Sequence, residues 1–166
     1  DVESKAEIAR STAADFGITL AGELQRAIAS GGPANAIAVC TIAAPAVAAG
    51  KSSEHEMDIG RTSLKLRQPA NEPDDWETAQ LLDFERRRAA GEDPATIEAG
   101  EYVLQGGRRV FRFMKAIPTG EVCLNCHGAN LTAEVRSKLN ALYPEDAAVG
   151  FAAGDLRGAF TITMAP

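Results

Sequence analysis

Two cysteines two residues apart with a histidine directly behind the second, Cys123-Leu124-Asn125-Cys126-His127, constrain this chain more than any other feature. Each thiol at that spacing can add across a vinyl group of one haem, and the adjoining imidazole then lies under the iron as its first axial ligand. At average composition the pattern arises by accident in roughly one chain of this length in a thousand. A redox dithiol would want a helix starting at the motif, whereas Gly128, Ala129 and Asn130 break any helix there. A zinc site needs four ligands, and only Cys40 and His55 lie outside the motif. One covalent haem c, with its iron on His127 and its porphyrin on Cys123 and Cys126, is therefore the expectation.

The chain must supply a fold around that loop, and 166 residues suffice for one domain with a proper core. From Val2 to about Ser30 apolar residues recur every three or four positions (Ile8, Phe16, Leu20, Leu24, Ala27), which predicts an amphipathic helix. Gly31-Gly32-Pro33 ends it. A second helix, from about Ala34 to Ala49, is apolar on nearly all sides and is predicted to be buried, with a kink where Pro45 removes an amide. The polar stretch Lys51–Glu56 reads as an exposed loop. These residues, 1–50, form a helical part; 51–166 carry the sheet and haem loop.

Strand patterns cover Glu56–Leu66, Ile97–Leu104 and Arg108–Ile117, the last two joined through Gly106-Gly107 as a hairpin. A helix starts at Asp74-Asp75 and ends in Arg86-Arg87-Arg88, a solvated C-terminus that suits the helix dipole. A short helix over Leu131–Leu142 and a hairpin pairing Ala148–Ala153 with Gly158–Met164 complete the order. Hairpins dominate, so the fold class is α+β: an antiparallel sheet of about five strands with the helices packed to one side.

The net charge of −6 argues against nucleic acid and against an anionic membrane surface. No stretch reads as a membrane span and no leader opens the chain. Covalent haem is installed outside the cytoplasmic membrane, so a periplasmic location is expected, with a chain starting at Asp1 trimmed of its signal or anchor segment.

The second axial position has several candidates: Cys40, His55, Met57, Met114, Met164 and assorted lysines. His55 and Met57 fall in or beside the polar stretch, and Met114 and Met164 in strands where a core residue is the bland expectation. Cys40 is the odd cysteine, set in the second helix, and thiolate is a strong ligand for ferric iron. An inert core thiol is an equal reading, since free cysteine is among the most buried residue types. Arg61, Lys65 and Arg67 alternate on one strand and its end, so they share a face on which they can pair with haem propionates. Equally they can form a solvated face or pair with Asp74 and Glu77.

Three strings in order, Gly60 to Asp74 (GRTSLKLRQPANEPD) with Trp76-Glu77 behind it, then CLNCHG, then Gly150 to Phe160 (GFAAGDLRGAF), carry a resemblance over roughly Ala34 to Thr163. They are similar to a family of bacterial PAS-like domains that bind one covalent haem and have no settled function. Its members include a cyanobacterial monohaem cytochrome and the extracytoplasmic parts of sensor kinases. Gln68 departs from the asparagine that the family more often places before the proline. The resemblance implies a PAS-like sheet, and an axial pair made of the motif histidine and a cysteine from an N-terminal helix, here His127 and Cys40.

A thiolate cancels the charge of ferric haem, so reduction leaves a buried site with net negative charge, which a low-dielectric pocket disfavours. The expected potential is low. Two functions suit it. In a redox or gas sensor, reduction weakens the bond to Cys40, NO or CO binds the ferrous iron, and the Cys40 helix passes the change to a signalling partner. In a low-potential electron carrier the acidic surface docks a redox protein. An enzyme is disfavoured, because a six-coordinate iron offers no vacant position and no acid and base pair flanks the motif.

Overall fold

The computed structural model describes residues 1–166. Helix α1 (Val2–His55) opens the chain, followed by strand β1 (Asp58–Thr62), helix α2 (Asp75–Ala89), strands β2 (Glu98–Gln105) and β3 (Arg108–Pro118), the one-turn helix α3 (Leu124–His127), helix α4 (Ala133–Leu142) and strand β4 (Leu156–Met164). The strands form one antiparallel sheet in the order β1-β4-β3-β2. At the β2–β3 turn Gly106 (φ 58°) and Gly107 (φ 77°) both adopt the left-handed backbone that a tight two-residue hairpin requires.

Alternation along the strands gives the sheet two apolar faces, and each is covered. Phe111 and Phe113 of β3 meet Ile59, Ile162 and Met164 on one face, where Ala6, Ala9, Ala13 and Phe16 of α1 pack against them. Met114 and Ala116 point the other way and join Ala159, Leu156, Ile97, Leu81 and Phe84 under α2. Helices therefore lie on both sides of the sheet rather than on one, because β3 is apolar on both faces. Helix α2 is fixed at its start by a capping box between Asp74 and Glu77. The same two carboxylates accept from Arg112 of β3, at 2.6 and 3.0 Å. The arginine run at its end pairs with local acids, Asp83, Glu85 and Glu92.

Three further expectations change. The sheet has four strands, not about five: Ala148–Ala153 forms no strand, and only Phe151 makes a bridge, parallel, to Gly128. Positive φ at Gly150 and Gly154 turns that segment away from the sheet and toward the haem motif. The helical part does not end at Ala49 but runs to His55, where Glu56 (φ 54°) caps it in the left-handed region, so the supposed loop is helix. Its one break is at Gly32 (φ 79°, ψ −179°); dihedrals stay helical through Pro45.

That break folds α1 into two antiparallel arms, residues 2–31 and 33–55. Asp15 on the first accepts from Lys51 at 2.8 Å and meets His55 at 2.9 Å on the second, and the Asn35 amide closes the bend on the Ala27 carbonyl. The second arm is not buried all round. Ala34, Ala36 and Ile37 are covered, whereas Ile42 is 78% exposed and Val39 39%. An 18-residue window of α1 has a mean hydropathy of 1.5, so by length and composition alone the helix is apolar enough to cross a membrane, contrary to the expectation from sequence.

Candidate functional site

The haem motif forms a 3-10 turn (Glu121–Cys123) running into α3. The turn closes on Gly128, whose amide donates to the Leu124 carbonyl at 3.0 Å, so Cys126 and His127 leave one tight loop side by side. Two backbone bonds tie this loop to the segment before β4: the amide of Phe151 donates to the His127 carbonyl at 2.9 Å, and that of Gly150 to the Gly128 carbonyl at 3.1 Å.

The His127 side chain has one orientation and one tautomer. Its Nδ1 lies 2.7 Å from the Ala148 carbonyl, which can only accept, so Nδ1 carries the proton and Nε2 keeps its lone pair. Burial disfavours the imidazolium, and the charges of Arg157, Arg67 and Arg61 add to it, so the pKa falls to about 3. The Phe151 ring stands edge-on to the imidazole, centroids 6.1 Å apart. A neutral imidazole with a free, fixed Nε2 is the state that ligates iron.

Cys126 leans toward the helices. With Leu131 and Tyr143 it packs on a small core made by Ala34 and Ile37 of the second α1 arm and Val135 and Leu139 of α4. Tyr143 also shares a 3.1 Å hydrogen bond with Thr41. This core brings Cys40, one turn beyond Ile37, to the haem motif. Cys40 is half-buried and free, as are Cys123 and Cys126. Burial raises the Cys40 thiol while the Arg61 charge pulls it down. Burial likewise raises Cys126, against the pull of Arg67. The other ligand candidates lie elsewhere: Met114 and Met164 are in the two sheet cores, Met57 packs against the second of these, and His55 pairs with Asp15.

The three basic residues named from sequence take different partners. Arg61 faces the α1 side of β1 and has no ion pair; desolvation lowers its pKa, opposed by Cys40 and Tyr143. Lys65 sits 5.1 Å from the centroid of the Phe151 ring. Arg67 is engaged, pairing with Asp146 at 3.0 Å. Sequence reasoning missed Arg157 although it lies inside the third motif string. Its guanidinium is 5.3 Å from the Phe151 centroid, donates to Ser63 and to the Lys65 carbonyl, makes no close ion pair, and is pushed down to about 10 by burial and the neighbouring arginines. Asp146 and Ala148 were missed too, and no local pattern marks them.

Haem fits this donor set: a neutral imidazole with a free Nε2, paired thiols on the same turn, a third thiol near them, and two half-buried guanidiniums that lack an ion pair and are partly desolvated. Zinc does not, because Cys40, Cys123, Cys126 and His127 do not converge within bonding reach of one point. The group that does converge, Asp15 with Glu54 and His55, already has the Lys51 ammonium on it.

The family model described as "Tll0287-like: Tll0287" matches residues 1–165. Among solved structures, the "crystal structure of the cyanobacterial heme-protein Tll0287" matches with a TM-score of 0.70 at 20% identity, over 99% of this chain and 96% of that one. No curated protein matches the sequence.

Proposed function

The chain belongs to the Tll0287-like family, and from that premise we propose that it is a monohaem c-type cytochrome domain acting as a redox or gas sensor outside the cytoplasm. The observation that carries the haem reading is the His127 clamp, in which the Ala148 carbonyl fixes Nδ1–H and leaves Nε2 free beside two thiols. In this reading Cys123 and Cys126 would form the thioethers, and His127 and Cys40 would hold the iron. The half-buried cations Arg61 and Arg157, with Lys65 beside them, hold the propionates. Bound haem would supply one-electron chemistry and a gas-binding iron. The protein residues fix the imidazole, hold one carboxylate-seeking cationic cluster, and place a thiolate on a helix.

The sensor reading rests on where Cys40 sits. It is on the second arm of a helical hairpin bent at Gly32, in the stretch whose Ala34 and Ile37 pack on α4 and Cys126, while Val47 and Ala48 further along rest on the sheet core. Release of Cys40 frees the part of that arm near Cys40, whereas the first arm and the Val47–Ala48 stretch stay on the sheet core. A carrier is the second reading, favoured by the rigid tie of His127 to Ala148 and Phe151, which lowers the cost of changing oxidation state. The proposal is non-enzymatic, with a redox or signalling protein as partner.

Haem-peroxidase staining of a denaturing gel tests attachment; loss of colour into acid acetone would sink it. Cys40→Ala should abolish the thiolate-type low-spin resonance of the ferric protein. Carbon monoxide uptake by the ferrous form, with faster hydrogen exchange in residues 33–55, supports the sensor. A ferrous form that refuses CO and exchanges like the ferric one leaves the carrier.

A further inference from the structure

The Ala148 carbonyl that orients His127 has a second donor. Arg67 Nη2 lies 3.1 Å from it, while the same guanidinium binds Asp146 through Nε (3.0 Å) and Nη2 (3.1 Å) and the Cys126 carbonyl through Nη2 (2.6 Å). Asp146 closes the circuit by accepting from the Ala148 amide at 3.0 Å. The Arg67 and Asp146 side chains are 12% and 8% exposed, so the pair is shielded from solvent. We propose that Arg67 is the residue that sets the donor strength of His127, through the carbonyl they share.

The argument rests on the haem reading above and on the electronics of a carbonyl with two donors. A carbonyl that also accepts from a guanidinium is a weaker acceptor for the imidazole Nδ1–H. His127 then carries less imidazolate character and stabilises ferric iron less. The guanidinium charge acts in the same direction, since a buried cation near the metal disfavours the more positive oxidation state. Asp146 acts against both, as an anion of equal charge in the same shielded pair. Arg67 also holds the Cys126 carbonyl, so one side chain joins the thioether turn, the proximal ligand and the segment before β4.

The test measures midpoint potentials of the haem-loaded protein and its Arg67→Gln, Arg67→Lys and Asp146→Asn variants. Each is first checked for stained covalent haem and for a low-spin spectrum. Arg67→Gln should lower the potential, making reduction at least about tenfold less favourable, or about 59 mV for one electron. Asp146→Asn should raise it. Arg67→Lys, which keeps the charge but cannot serve all three acceptors, should fall between Arg67→Gln and wild type. Mere loosening of the loop would move every variant in one direction, so shifts of like sign in Arg67→Gln and Asp146→Asn overturn the proposal, as does a wild-type potential in Arg67→Gln. If Arg67→Gln fails to load haem, Arg67→Lys and Asp146→Asn still decide, by lying on opposite sides of wild type or not. A wild-type chain without covalent haem would instead overturn the reading beneath the proposal.

Discussion

Gly128 follows His127, the proposed haem ligand, and its replacement by alanine tests the geometry of the motif without touching any of the proposed ligands. Its backbone (φ −75°, ψ −179°) suits any residue, so no conformational strain is at stake. Space is the issue. A Cβ there would lie 2.6 Å from the Leu124 carbonyl oxygen, about 0.8 Å inside ordinary van der Waals contact at 3.4 Å. That oxygen cannot simply step aside, because it accepts from the Gly128 amide and closes the turn that carries Cys126 and His127. Overpacking against fixed backbone costs about 1–3 kcal/mol. For a chain of this size that is a fall in Tm of about 2–12 °C. Gly120→Ala is the control at the other end of the same motif, where the nearest atom to a new Cβ is the Cys123 sulfur at 3.9 Å. Thermal melts followed by circular dichroism, with the haem stain of the purified band, should show Gly128→Ala less stable and less loaded, and Gly120→Ala unchanged. Gly128→Ala that melts with wild type and loads fully would refute the reasoning.

Arg61 should give opposite effects in two states: Arg61→Leu stabilises the haem-free chain by removing a half-buried charge without an anion, and destabilises the haem-bound one, each by about 1–3 kcal/mol in denaturant titrations; equal signs would remove Arg61 from the propionate site. Gly32→Ala forces a side chain into a backbone region that only glycine tolerates, so it should cost about 1–3 kcal/mol and disturb the approach of the two α1 arms, read from the pairing of Asp15 with Lys51 by NMR. Phe84, fully buried under α2, should cost about 3–5 kcal/mol as alanine in a chemical melt. The depressed His127 makes stability depend on pH in a haem-free Cys123→Ala, Cys126→Ala chain. Between about 3 and 6.5 the unfolded chain binds the proton that the folded one refuses, so stability is present above 6.5 and lost as pH falls, by on the order of a few kcal/mol. The same chain with His127→Gln should lack that part of the slope.

Periodicity made the long elements legible because it reports burial directly: β3 and α2 have the spans that their patterns predict, within a residue or two. It misled where burial is not the organiser. The second α1 arm is apolar all round, which reads as a core helix, yet Ile42 and Val39 face outward. The Lys51–Glu56 stretch reads as a loop because it is polar, yet Lys51 and His55 are polar in order to meet Asp15 across the hairpin. Gly31-Gly32-Pro33 was legible as a boundary but not as a bend, since nothing local says that the chain reverses there. Ala148–Ala153 has the composition of a strand; its glycines at positive φ assign it to the haem loop instead.

The site divides along the same line. Cys123, Cys126 and His127 are readable because the proposed covalent attachment demands a fixed spacing in one chain segment, whereas the groups packed around them are gathered from four segments. Arg67 comes from beyond β1, Asp146 and Ala148 from beyond α4, Phe151 from the turn before β4, and Arg157 from β4 itself. None has a fixed spacing to the motif to keep, so Arg67 was readable only as one of three alternating cations, and Asp146 and Ala148 leave no pattern at all. The result is asymmetric in its mechanics. On the His127 side backbone and side-chain bonds converge from two segments, and little can move without breaking several at once. On the Cys40 side the contact is a half-exposed stretch of helix, resting through Ala34 and Ile37 on Val135 and Leu139 of α4, with one side-chain hydrogen bond to α4's end, between Thr41 and Tyr143, while the arm is tied to the first arm and the sheet only further along, through Val47, Ala48, Lys51 and His55. If His127 and Cys40 are the two iron ligands, as proposed, this arrangement fixes one donor and leaves the other on the less tied stretch, where coordination can change without disturbing attachment. The proposed sensor needs that asymmetry, and under it Cys40 rather than His127 is the place to look for the response.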